Sequence, residues 1–162
     1  MLDIITLGDE RLKKHSILVP EFDGGIHHLI EQMFESMHRF GGVGLAAVQI
    51  GNLFRIFITD TERNEPRVFI NPELIETSVE QGVFEEGCLS VPGINTDVVR
   101  SIAIKVQAWN EKGRPFTLDA DNLLGRVIQH EIDHLNGILF LDRIDPKKKA
   151  RLIKQYQAQK PD

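Results

Sequence analysis

Apolar residues recur at helical spacing near both ends of the chain and at strand spacing between them. Ile26, Leu29, Ile30, Met33, Phe34 and Met37 fall three or four positions apart, which predicts an amphipathic helix over residues 25–40 whose stripe is core. Leu123, Leu124, Val127, Ile128 and Leu135 repeat in the same way, with Asp121 placed to cap that helix and Gly137 to stop it. Residues 54–59, 68–70 and 102–109 read as strands, and Asn110-Glu111-Lys112-Gly113 reads as a hairpin turn into a further strand at 115–118. A basic segment at 145–156 begins a third helix at Pro146 and sets Leu152, Ile153 and Tyr156 on one edge opposite its lysines. Strands flanked by separated helices predict an α+β fold, with mixed or antiparallel sheets packed around the helix near residue 130 and with one helix N-terminal and one C-terminal to them.

A chain of 162 residues can bury one good core and is too short for two ordinary domains, so residues 1–162 are expected to form a single domain with 145–162 as its basic helix or tail. The 19 Lys+Arg against 24 Asp+Glu give a net charge of -5, which excludes wholesale nucleic-acid binding and makes DNA an unexpected partner. A single cysteine cannot form an internal disulfide and suits a reducing compartment. No signal-like start and no apolar run of membrane-spanning length is present, so the expected location is cytoplasmic, without a membrane partner.

The chemistry concentrates in Gln129-His130-Glu131-Ile132-Asp133-His134. Two imidazoles four residues apart share one face of a helix, a geometry that suits a metal, and the carboxylate after the first is placed to shuttle a proton. A catalytic site of this kind needs a third ligand and an open position. Downstream, the metzincin pattern matches at Gly137 but has Phe140 where histidine is required, and residues 135–162 hold no glutamate, leaving Asp142 and Asp145 as weaker candidates. Upstream, Cys88 lies on a loop bracketed by Gly87 and the Pro92-Gly93 turn. An isolated cysteine is most often an inert buried residue, but this loop can aim a thiolate at the helix. His15, His27, His28 and His38 lie in or near the first helix and compete less well.

Three blocks together carry a resemblance. Gly42-Val43-Gly44-Leu45-Ala46-Ala47-Val48-Gln49, Glu86-Gly87-Cys88-Leu89-Ser90 and Gln129-His130-Glu131-Ile132-Asp133-His134 resemble, in order and spacing, the three signature motifs of the peptide deformylases. The resemblance runs from a short N-terminal arm to Asp142 and departs at Val48, where that family usually has proline. It implies a metal-dependent hydrolase that removes the N-formyl group from the initiator formyl-methionine of nascent polypeptides and releases formate. It implies Cys88, His130 and His134 as ligands of one divalent ion, Fe2+ in its native state, with Zn2+, Ni2+ or Co2+ after purification. It implies Glu131 as catalytic acid/base, Gln49 and the Leu89 N–H as oxyanion donors, Val43, Gly44 and Gly87 as binders of substrate main chain, and Leu123 and Val127 as lining of a methionine pocket. In some bacterial members a C-terminal helix is thought to touch the ribosome, which makes the basic segment here a candidate for such a contact.

Other readings of the same residues predict different things. Gly42-Val43-Gly44-Leu45-Ala46-Ala47 fits a loose dinucleotide-binding pattern, yet such a loop follows a strand and opens a helix, whereas this one follows a helix and is soon broken by Gly51. A zinc metallopeptidase would take Asp142 or Asp145 as third ligand. A non-catalytic structural metal site would be closed by four protein ligands.

Overall fold

The computed structural model describes residues 2–61 and 64–159. Helix α1 spans Gly24–Arg39, one residue displaced from the stripe's prediction. Asp23 caps it by accepting the N–H of Ile26 at 3.1 Å, and Ile26, Leu29, Ile30, Met33 and Met37 are buried beneath it. Five strands follow the order β1-β2-β3-β6-β7, with each neighbour antiparallel: β1 (Gly44–Ala46), β2 (Ile56–Thr59), β3 (Arg67–Thr77), β6 (Ala103–Trp109) and β7 (Pro115–Asp121). Strands β4 (Gln81–Gly87) and β5 (Asn95–Ser101) pair with each other in a separate antiparallel sheet.

The large sheet is covered on both faces. On one face Leu45, Ile56, Ile58 and Ile70 pack with α1; on the other Ala46, Phe57, Phe69, Val106 and Ala108 pack with Ile128, Ile132 and Leu135 of helix α2 (Asn122–Leu135). Covering both faces explains why all four residues of β2 are buried, although strict alternation predicts only half of them. A third cluster joins Val91, Ile94 and Val98 of the β4–β5 region to Leu139, Phe140, Leu141 and Tyr156 of helix α3 (Pro146–Gln159) and the turn before it. Each fully buried aliphatic or aromatic side chain contributes roughly 1.5–3 kcal/mol, so α3 is fastened by its apolar edge while Lys147, Arg151 and Lys154 are exposed.

One expectation about the strands requires correction, and two strands were not expected. Strand β3 continues to Thr77 rather than stopping at Ile70, because a register shift at Asn71-Pro72 lets the chain resume pairing with β6. Asn71 takes a left-handed conformation there, and its amide clamps both backbone groups of Val19. Strands β4 and β5 escape the hydrophobic pattern altogether, because their inward positions include Gly82, Glu86, Thr96 and Arg100 and their outward ones include Val83 and Val99.

Candidate metal centre

Helix α2 presents the two histidines. From Val127 to Leu135 every residue is buried, so this part of the helix is enclosed on all sides. Asp121 occupies the capping position without accepting a side-chain capping bond, contrary to expectation. Gly137 does end the helix, at a φ of 75°, and a side chain there would run into the carbonyl of Lys13. Glycine is thus required both by conformation and by the closeness of the N-terminal segment.

Opposite the helix, the end of β4 and the loop after it bring in Cys88. Its Sγ lies 3.3 Å from His134 Nε2, and one ligand atom from each of Cys88, His130 and His134 lies within 4.8 Å of the others. First-row ions bind nitrogen and thiolate at about 2.0–2.3 Å, which places tetrahedral ligand atoms roughly 3.3–3.8 Å apart. Two imidazoles and a thiolate at this spacing fit such an ion. His134 is fully buried, and its Nδ1 has no hydrogen-bond partner among the described residues. Burial, reinforced by the charges of His130 and Arg100, holds it well below the usual imidazole value, in the neutral form that ligates.

His130 is oriented by Glu86. The Glu86 Oε1 atom lies 2.9 Å from Nδ1 of His130, so Nδ1–H donates to Glu86 and Nε2 is the ring nitrogen left for the centre. Burial opposes protonation of His130, but its contacts with Cys88 and Glu86 and the charge of Glu131 outweigh it and hold the ring well above its ordinary value. Arg100 grips both oxygens of Glu86, through Nε at 2.5 Å and Nη2 at 3.0 Å, and its Nη1 reaches Asp133 at 3.0 Å. Arg143 closes the row from the surface with two bonds to Asp133. Although burial pushes Glu86 up, these donors outweigh it and keep the carboxylate below its usual range.

Glu131 is buried, and its Oε1 has no partner among the described residues. Burial pushes its pKa up to about 7, against the opposing charges of His130 and Arg100. A carboxyl poised near neutrality can both take and return a proton. Gln49 is buried rather than an exposed loop residue: its Oε1 accepts the Ala46 N–H at 2.9 Å, and its Nε2 donates to Ser90 Oγ at 3.1 Å and faces Cys88 Sγ at 3.6 Å. The amide donor is therefore anchored from both ends and aimed at the centre.

A cavity of about 770 Å³ opens in front of these groups. Val43, Gly44, Gln49, Gly87, Cys88, Leu89, Leu123, Val127, His130 and Glu131 all line it, while His134 lies behind. At Gly44 a side chain would meet Val127 Cγ1 at 2.7 Å and Glu131 Oε2 at 2.8 Å, so this glycine also lets β1 lie against α2. Val48, the departure from the family pattern, is fully buried in the cluster on the α2 side of the sheet.

The rival ligands are engaged elsewhere. Asp142 accepts the Leu139 N–H at 2.8 Å and pairs with Lys149, and Asp145 accepts the N–H groups of Lys147 and Lys148 at the start of α3. His27 and His38 are exposed and bond to Glu111 and Asp60. The glycine pattern at residues 42–47 follows α1, contains β1 and enters a four-residue 3₁₀ turn, which is no dinucleotide loop. Sequence reasoning missed Arg100, Asp133, Arg143 and Ser90 as supports and gave Glu86 no role. Asp133 and Glu86 were readable only as members of the quoted motifs, and Arg100 had no signal, because its importance comes from burial.

A family model described as polypeptide deformylase matches residues 1–150. A peptide deformylase of Chromobacterium violaceum is 46% identical over 154 residues, spanning 94% of this chain and 92% of that protein. One from Treponema pallidum is 45% identical over 157 residues, spanning 97% and 96%. Among solved structures, a peptide deformylase from Legionella pneumophila matches with a TM-score of 0.90 at 41% identity over 99% of both chains. The peptide deformylase of Ehrlichia chaffeensis in complex with actinonin matches with a TM-score of 0.95 at 36% identity, over 100% of this chain and 99% of that one.

Proposed function

This chain belongs to the polypeptide deformylase family, metal-dependent hydrolases that remove the N-formyl group from nascent polypeptides, and we propose a division of labour among its residues. Cys88, His130 and His134 hold the divalent ion, Glu131 is the acid/base, and Gln49 with the Leu89 N–H receives the developing oxyanion. The observation that carries this reading is three side chains able to ligate, two at the wall of an open cavity and His134 behind them, with a buried carboxyl beside them. A structural site would want a fourth protein ligand, and among the described residues the cluster has three.

When bound, the ion supplies Lewis-acid polarisation of water and of the formyl carbonyl. Glu131, nearly dry and near neutrality, accepts the proton of the attacking water and returns it to the departing methionine amine. Gln49 Nε2, already turned toward the centre, donates to the oxygen on which charge develops. Val43, Gly44 and Gly87 take the substrate main chain, and Leu123 and Val127 take the methionine side chain. The native ion is Fe2+, whose choice over Zn2+, Ni2+ or Co2+ follows from family resemblance and availability, since a His2Cys set accepts several first-row ions. The chain acts as one catalytic domain in the cytoplasm. No helix among the described residues is long and apolar enough to cross a membrane.

The decisive assay offers the protein a formyl-Met peptide and the same peptide with a free amine. Formate release from the first, with the peptide bonds of both intact, is the expected result; peptide-bond cleavage or inertness overturns the reading.

Helix α3 is proposed to touch the ribosome through Lys147, Arg151 and Lys154, all exposed, while Tyr156 is buried against the Val91–Ile94 region. Truncation is a poor test, because removing Tyr156 uncovers the cluster that supports the Cys88 loop. Reversing the three exposed charges should instead weaken salt-sensitive ribosome binding while leaving hydrolysis of a short formyl-peptide unchanged.

A further inference from the structure

The cavity wall carries a cation that the reaction above leaves unused. Arg126 lies one turn before His130 on α2 and lines the same cavity as Cys88 and Glu131. Its guanidinium sits over the ring of Phe84 on β4, 4.5 Å from the centroid. A guanidinium resting on an aromatic face is held in one place while its N–H edge stays available as a fork that matches a carboxylate. Among the described residues Arg126 has no ion-pair partner. None of the acids that line this cavity pairs with it among the described residues. Glu86 is held by Arg100 and His130, and Glu85, the residue after Phe84, is exposed at the cavity's edge and forms no ion pair with Arg126. Asp3 is exposed where it lines the cavity.

We propose that Arg126 is a specificity residue that favours substrates carrying a carboxylate within the two residues after the formyl-methionine. The inference rests on the deformylase reading. Four residues of helix separate Arg126 from His130 by about 6 Å along the axis. A peptide whose formyl group lies beside His130 has its second and third residues roughly 3–10 Å further on, within the reach of an arginine anchored there. The carboxylate would meet a half-buried, preoriented fork at the cavity wall, in place of a mobile side chain in open water.

The test uses C-terminally amidated peptides, so that no main-chain carboxylate supplies the anion. Formyl-Met-Ala-Ala-amide is compared with versions carrying Asp or Lys at the second or third position, and kcat/KM is read from formate release. The wild type should favour Asp over Ala at one of the two positions by about two- to fivefold, the range of a partly exposed ion pair, and the advantage should fade as salt rises. Arg126→Gln should bring the Asp-to-Ala ratio to about one, and Arg126→Glu should turn the preference toward Lys. A ratio measured within one variant is unaffected by partial folding or metal loading, which scale all substrates alike. No Asp preference in the wild type, or the same ratio in all three proteins, overturns the assignment. Absence of formate from every peptide, including the neutral one, overturns the deformylase reading and this inference with it.

Discussion

Glu86 Oε1 stands 2.9 Å from His130 Nδ1 while Arg100 holds the same carboxylate from its other side. The acid is therefore fixed by a buried arginine before it fixes the imidazole, and the orientation of a histidine in the candidate metal cluster depends on a strand that contributes no member of that cluster. Glu86→Gln keeps the shape of the contact but weakens the Arg100 pairing and allows the amide to flip. Metal affinity should fall by about 10- to 100-fold, the usual cost of losing such a support. Competition with a chelator reads it, and unchanged affinity would show that His130 needs no orienting.

Glu131→Gln should retain the fold and the ion and lower kcat by about 10²- to 10⁴-fold, because it removes the proton carrier and leaves the three ligands in place. Metal analysis alongside steady-state kinetics checks it. A metal-replete variant of near wild-type kcat would remove Glu131 from the chemistry.

Cys88→Ser should lose metal, since a hydroxyl is a much poorer ligand than a thiolate for these ions. The cysteine is half-buried and packs beside the Val91 cluster, so a modest loss of stability alone is what an inert thiol predicts. Metal stoichiometry in the purified, folded variant separates the two outcomes.

Gly44→Ala tests the close approach of β1 to α2. The new methyl would meet Val127 and Glu131 at 2.7 and 2.8 Å, so one of them has to move. Overpacking of this kind costs about 1–3 kcal/mol, to be read as a lowered denaturation midpoint. Because Glu131 is one of the obstructing groups, kcat should fall more than the ion content does.

Acid stability should carry a signature from Asp9, far from the centre. The side-chain and backbone donors of Arg11 hold its pKa down to about 2, from 3.8. A carboxyl whose folded value is depressed contributes its stability above the unfolded value and loses it as the pH falls through the folded one. The difference in denaturation midpoint between wild type and Asp9→Asn should therefore be constant above about pH 4 and shrink toward zero near pH 2. A difference that persists undiminished at pH 2 would show that the ion pair contributes nothing.

The three helices and most of the large sheet could be read from residue spacing, because an amphipathic stripe or an alternating strand records in sequence which side is covered. His130, Glu131 and His134 were legible for the same reason, as helical spacing alone fixes their common face. Cys88 and Gln49 were singled out by motif and chemistry. Their convergence with the histidines required the fold, since residues 49, 88 and 130 meet only when the 3₁₀ turn after β1, the loop after β4 and α2 pack together. Strands β4 and β5 were invisible because their inward positions carry charge, and charge reads as surface until its partner is known. That partner is what the tertiary structure alone decided: Arg100 is tolerable inside only because Glu86 and Asp133 meet it from different elements, and no local pattern encodes a neutralisation made across 14 and 33 residues of chain.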